Sequence, residues 1–214
     1  MSLGLNGVYT TTAKIYLSPN SSDNVIRNFS FPLSDIFNPA VEARYRIMEN
    51  LLIGLNIDYM YKVASGSKLT FLASDNSTLS VDAEDGFRFM PVELSLTYVL
   101  PFSTDKFKFL LGGGGGYYWG EHIRKISGSG VSNTERKIAY GIHVAISMDY
   151  LVYNDFIIKS EMKFRDPQFT VKSKYNDTRI LYNGQFVRPP NESFNSKINV
   201  DGVTFIVGVA YQIF

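Results

Sequence analysis

The residues of this chain that could do chemistry are few, and they alternate. Glu42, Arg44 and Arg46 occupy every second position, as do Lys159, Glu161 and Lys163, and single acids stand at Asp58, Glu93 and Asp149. A spacing of two puts each triplet on one face of an extended strand. An unpaired charge in a low-dielectric interior is very costly. Arg44 and Arg46 with Glu42, and Glu161 flanked by Lys159 and Lys163, are therefore expected to pair across an enclosed space, with Glu93 and Asp149 as partners. That set supports a structural salt-bridge plug or, less readily, a polar path for ions or small solutes.

The other candidates carry less. There is no cysteine, which excludes disulfides and thiolate metal sites, and the two histidines, His122 and His143, are too few to favour zinc. His143 lies between Gly141 and Ala145 in an alternating stretch, and Ser147 on the same face is four residues away. Strand rise alone puts that hydroxyl beyond the hydrogen-bond reach an activated nucleophile needs. No catalytic residue, cofactor or metal site is expected. The glycine run in LLGGGGGYYWG, Leu110 to Gly120, meets Tyr117, Tyr118 or Trp119 where a dinucleotide fingerprint needs its last glycine. It also lacks the Gly-Lys-Ser/Thr of a Walker loop and the polar flanks of a linker. It reads as a strand whose alternate glycines leave room on one side for long neighbours.

Stepping from residues to elements, period two dominates. Leu51, Ile53, Leu55, Ile57, Tyr59, Tyr61 and Val63 share one face, and Ile138, Tyr140, Ile142, Val144, Ile146, Met148 and Tyr150 share another. The same alternation predicts eight strands, at 5–17, 39–48, 51–63, 87–100, 107–120, 136–151, 156–165 and 198–214, within one domain spanning 1–214. Most are long enough for the roughly 9 to 11 residues that a tilted strand needs to cross a bilayer. Connections are tight around Glu49-Asn50, 102–106 and 152–155, and long and polar at 18–38, 64–86, 121–135 and 166–197. Short turns on one side and long loops on the other suit a transmembrane barrel. The second long loop can hold a hairpin, 68–73 with 78–81 around Ser74-Asp75-Asn76-Ser77, and the last can do likewise, which leaves ten strands as an alternative.

Side-chain size decides which face is outside. The apolar face carries more bulky groups than the interior of an eight-stranded barrel can hold. The opposite face is glycine, alanine, serine and threonine interrupted by the charges above, as a narrow lumen requires. Aromatics gather at strand ends: Tyr98, Phe102, Phe107, Tyr150, Tyr153 and Phe156 near the short turns, and Tyr59, Tyr61, Phe87, Phe89, Tyr117, Trp119 and Tyr140 toward the long loops. Two such girdles fit the two headgroup levels of a bilayer. Charged residues are 19% of the chain, below the roughly 25% usual in soluble domains, and 21 basic residues against 20 acids leave no footprint for nucleic acid. The expected fold is all-β, an antiparallel up-and-down transmembrane β-barrel. Met1-Ser2-Leu3 is read as a remnant replacing a removed signal peptide.

The C-terminal VTFIVGVAYQIF, with Val203, Phe205, Val207, Val209, Tyr211 and Ile213 on one face, resembles the terminal strand of Gram-negative outer-membrane barrels, whose final Phe is read by the assembly machinery. Phe214 falls out of phase with Tyr211, so a bulge near Gln212 or a non-standard signal is expected. The architecture is similar to the small OmpA/OmpX/OmpW-like barrels. That resemblance implies an outer-membrane monomer in contact with lipid and lipopolysaccharide, without cofactor, acting structurally and through its surface loops. It also implies two alternatives: passage of small hydrophobic molecules, as in the OmpW-like barrels, and a lipid A hydrolase or acyltransferase activity as in some small barrels. Turning the apolar face inward instead would give a soluble lipocalin-like lipid binder.

Overall fold

The structure, a computed structural model, describes residues 1–74 and 77–213. In chain order its elements are β1 (Ser2–Tyr16), α1 (Asn24–Asn28), β2 (Ser30–Met48), β3 (Leu51–Asp58), β4 (Met60–Ala73), β5 (Thr78–Val99), β6 (Phe107–Ile126) and β7 (Ser129–Arg136). There follow β8 (Ala139–Tyr153), β9 (Phe156–Arg165), β10 (Gln168–Tyr175), β11 (Ile180–Tyr182), β12 (Gln185–Arg188), β13 (Ser193–Asn199) and β14 (Val203–Gln212). All pairings are antiparallel. The wall closes in the order β1, β2, β3, β5, β6, β8, β9, β14 and back to β1, a ring of eight strands. The ten-strand alternative is not realised, because the β11–β12 hairpin hangs from the far end of β4 without entering the ring.

The wall is taller than the sequence suggests. β4 and β5 stay paired as far as Leu72 and Thr78, and β6 meets β7 in a hairpin at Ser127 and Gly128, both with positive φ. β13 pairs with β1, β10 with β13, and β7 with β10, so the barrel continues beyond its lipid-facing part. Most of 64–86 and 121–135, expected as loops, is strand. Outward positions there face water and carry polar residues, which in sequence imitate loop composition. The hairpin foreseen at 68–73 and 78–81 is this extension of two wall strands; of the turn residues foreseen between them, Asp75 and Asn76 lie outside the described residues.

The faces fall as side-chain size requires. Ile142 (80% exposed), Tyr140, Leu94, Leu96, Leu111 and Val207 point outward, while Glu93 (0%), Lys159 and Lys163 are buried inside. A soluble lipocalin-like arrangement is thereby overturned, since its apolar face would have to turn inward. Phe87 and Phe89 are a correction in the other sense: both are fully buried in the lumen and belong to no girdle, because Arg88 and Met90 take the outward positions of β5. They join Ile15, Leu33, Met60, Tyr118, Phe169 and Val171 in an apolar cluster that fills the upper lumen.

Ladder pairing lapses in two places above the lipid-facing belt. β2 and β3 separate beyond Ala40 and Asp58, where Lys62 Nζ instead donates to the Asp35 carbonyl at 3.0 Å. Asp35 has φ 55°, and the inward positions of β2 shift phase there, from Leu33 to Ile36. β6 leaves β8 after Tyr118–Ala139 and does not meet β7 until Lys125–Gly130. There the Asn133 side chain stands in for a strand, accepting from His122 N at 3.2 Å and donating to His122 O at 3.0 Å.

Candidate functional site

The lumen holds two tiers of charge built from opposite walls. In the lower tier, Arg44 on β2 donates Nε to Glu42 at 2.9 Å and Nη1 to Asp149 on β8 at 2.9 Å, and lies 3.4 Å from Glu161 on β9. Lys159 lies 2.8 Å from both Glu42 and Glu161. In the upper tier, Glu93 on β5 receives Lys163 at 2.9 Å, Arg165 at 3.0 Å and the Tyr118 hydroxyl at 3.1 Å. Arg165 also reaches Asp58 at 2.9 Å, and Asp58 accepts from Asn56. Lys163 to Glu161, 3.4 Å, joins the tiers. Desolvation makes each of these charges dependent on its partners.

The structure thus brings together Glu42, Arg44, Asp58, Glu93, Asp149, Lys159, Glu161 and Lys163. Two adjustments follow. Arg46 stands exposed at the mouth beside the short turns, outside the network, because β2 ends two residues later and its side chain opens to water. Arg165 was missed, although it continues the period-two series from Lys159. The glycine run explains why the upper tier fits: a Cβ on Gly116 would stand 2.6 Å from the Tyr118 hydroxyl, and one on Gly141, its cross-strand partner, 2.9 Å from the same ring. Two facing glycines make the space in which Tyr118 lies beneath the apolar cluster and touches Glu93.

Between the tiers the free volume is about 10 Å³, room for one water at most. His143 Nε2 shares a hydrogen bond with Ser95 Oγ at 3.0 Å, across the β5–β6–β8 wall, and not with Ser147. Its Nδ1 has no hydrogen-bond partner among the described residues. Among the described residues no acid is hydrogen-bonded to this serine–histidine pair, and the space it faces has room for one water.

A second buried polar group lies above the apolar cluster. His122 Nε2 is 2.9 Å from Asp85, Arg124 reaches both Asp85 oxygens at 2.8 and 3.2 Å, and Arg124 donates to the Tyr175 hydroxyl at 3.2 Å. The Arg124 guanidinium also lies 4.4 Å from the centre of the Phe194 ring. His122 is three residues past Trp119, about 10 Å along the strand, beyond the upper aromatic level. Burial holds its imidazole below the ordinary histidine value despite the Asp85 hydrogen bond. Sequence reasoning missed this group because 121–135 looked like loop, yet His122, Arg124 and Ile126 continue the inward phase of Gly112 to Gly120.

On the outside, Tyr59, Tyr61, Tyr117, Trp119 and Tyr140 lie toward the tall end and Tyr98, Tyr150 and Tyr153 toward the short turns. Rings meet within each level: Tyr117 with Tyr140 at 5.8 Å between centroids, Phe107 with Tyr150 at 4.5 Å, and Phe156 with Tyr211 at 5.2 Å. Tyr211 faces outward on β14; Phe214, the other half of the expected assembly signal, lies outside the described residues.

No protein-family model and no curated protein sequence matches the chain. Among solved structures, the outer membrane protein OprG from Pseudomonas aeruginosa aligns with 98% of this chain and 94% of its own, at a TM-score of 0.62 and 10% identity. The chain has the fold of the small outer-membrane β-barrels. Neisserial surface protein A, NspA, is similar over 99% of this chain and 96% of its own, with a TM-score of 0.50 and 14% identity. Within the outer-membrane barrel fold, the tiers described above occupy the lumen and the aromatic levels bound the lipid-facing belt.

Proposed function

We propose that this chain is a monomeric scaffold of a bacterial outer membrane, sealed along its axis, that acts through the surface it raises above the bilayer. The observation that carries this reading is the lumen: two cross-linked charge tiers with about 10 Å³ between them, capped by a packed apolar cluster. Such a column favours mechanical closure over conduction. The tall extension, with α1 and the β11–β12 hairpin at its end, supplies a rigid platform of the kind on which binding loops are usually carried. Lipid and lipopolysaccharide would surround the belt, and the outer-membrane assembly machinery would insert it. No reaction is assigned to it. Purified barrel in planar bilayers should show no steady ionic current. Steps of conductance in the intact protein that vanish on combined Arg44→Ala and Glu93→Ala substitution would replace the scaffold with a channel.

One observation favours a second reading, passage of small apolar molecules. The lapse between β2 and β4 fronts the apolar cluster, so a solute leaving that region would exit sideways at the level of Tyr59 and Tyr61, the upper edge of the lipid-facing belt. Faster uptake of an apolar solute by vesicles containing the barrel than by empty vesicles would support it.

A further inference from the structure

The inner mouth of the barrel, at the end carrying the short turns, contains a cup of about 310 Å³. Its wall is apolar, with Leu52, Val99 and Leu151 pointing inward from β3, β5 and β8. Its floor is the Arg44–Asp149 ion pair, whose guanidinium is already held by three carboxylates. The cup is therefore a dead end and not the entrance of a path. Around it stand Arg46 from β2 and Lys106 and Lys108 from the β5–β6 turn and the start of β6.

These three cations differ from the rest of the lumen. Every lysine and arginine of the two tiers has a carboxylate within 4 Å, whereas among the described residues Arg46, Lys106 and Lys108 make no salt bridge. Lys108 is even the cross-strand neighbour of Asp149, yet makes no ion pair with that carboxylate, whose Oδ2 holds Arg44 and whose Oδ1 has no hydrogen-bond partner among the described residues. The remaining acid on the cup, Asp105, likewise makes no salt bridge among the described residues, so three unpaired side-chain cations face one unpaired carboxylate. In the ring of eight, β2 and β6 lie on roughly opposite walls, so the free positive charge is split between two sides of an apolar space.

We propose that this cup binds a small organic dianion, two carboxylates on a short hydrocarbon body. One carboxylate meets Arg46, whose planar fork suits a bidentate contact, and the other meets Lys106 and Lys108. The methylene segment lies against Leu52, Val99 and Leu151. A cavity of this size and mixed lining is within the range of small-molecule sites. The site does not depend on what the outer surface binds, and it fails separately from the sealed-scaffold reading, which conductance decides.

The test is calorimetric titration of the full chain in detergent or nanodiscs with adipate, hexanoate and inorganic phosphate at low salt. Adipate should saturate at one per barrel, and hexanoate should bind at least tenfold more weakly for want of a second carboxylate. Phosphate, lacking the hydrocarbon body, should not saturate. Arg46→Gln and Lys108→Gln should each weaken adipate about tenfold while leaving heat-modifiable gel mobility unchanged, since neither side chain is part of the ion-paired network. Absence of saturable adipate binding, equal binding of phosphate, or adipate affinity unchanged in both variants would overturn the proposal.

Discussion

At the scale of single residues, the lumen is a case where each charge is tolerable only because of its neighbours. Arg44 is 8% exposed and is an ion-pair partner of Glu42, Asp149 and Glu161 at once. Removing it strips a shared partner from three enclosed carboxylates, and breaking a buried pair from one side typically costs about 3–5 kcal/mol. Arg44→Ala should therefore lower the unfolding free energy of the vesicle-inserted barrel by an amount in that range, obtained from urea titrations read as gel mobility without heating. A loss below about 1 kcal/mol would mean that water already screens the tier.

At the scale of elements, what was legible in the sequence depended on the solvent outside the wall. Where lipid lies outside, outward residues are bulky and apolar and most inward ones small or polar, so 51–63 and 138–150 declare themselves. Where water lies outside, the outward residues turn polar, and β7, β10 and the upper parts of β4 to β6 lose the contrast that marks a strand. The charge tiers were legible by the same phase rule, except that Arg165 was overlooked and Arg46 lies past the enclosed segment. The phase shift at Asp35 and the lapse spanned by Asn133 had no local signal, because both depend on register with distant strands. Asn133→Ala should expose that dependence. It leaves the buried His122 backbone N–H and C=O without their amide partner, worth about 1–3 kcal/mol for an unsatisfied group. Amide exchange at 119–124 should accelerate while the belt stays protected. Acid acts on the same element. Because burial holds folded His122 below its ordinary value, the unfolded extension takes up that proton first as pH falls. The extension keeps full stability above about pH 6.5 and loses it progressively below that, toward the lower folded value. Burial would raise the Asp85 carboxyl, but the hydrogen bonds from His122 and Arg124 outweigh it and hold it low, so its loss belongs to a separate window below about pH 4. Hydrogen exchange of β6 and β7, corrected for intrinsic rate, should show loosening between pH 7.5 and 5.5 that His122→Gln abolishes.

At the scale of the whole molecule, one geometric choice governs the rest: bulky apolar groups face outward and charges face the axis. The arrangement is stable only if hydrocarbon surrounds the belt, since in water the same surface would be a continuous apolar patch far larger than monomers normally expose. Ile146 lies mid-strand on β8, 47% exposed, between the two aromatic levels marked by Tyr140 and Tyr150. An arginine there has no lumen partner within its own face and must either enter lipid or drag headgroups and water toward it. Outer-membrane barrels lose about 2–4 kcal/mol for such a substitution near the bilayer midplane and little near the interfaces. Ile146→Arg should therefore destabilise the vesicle-inserted protein by roughly that amount, whereas Tyr153→Arg, near the short turns, should cost less than about 1 kcal/mol. Equal and small effects at both positions would place water outside the wall, and the same result would remove the reason for charges to be gathered at the axis.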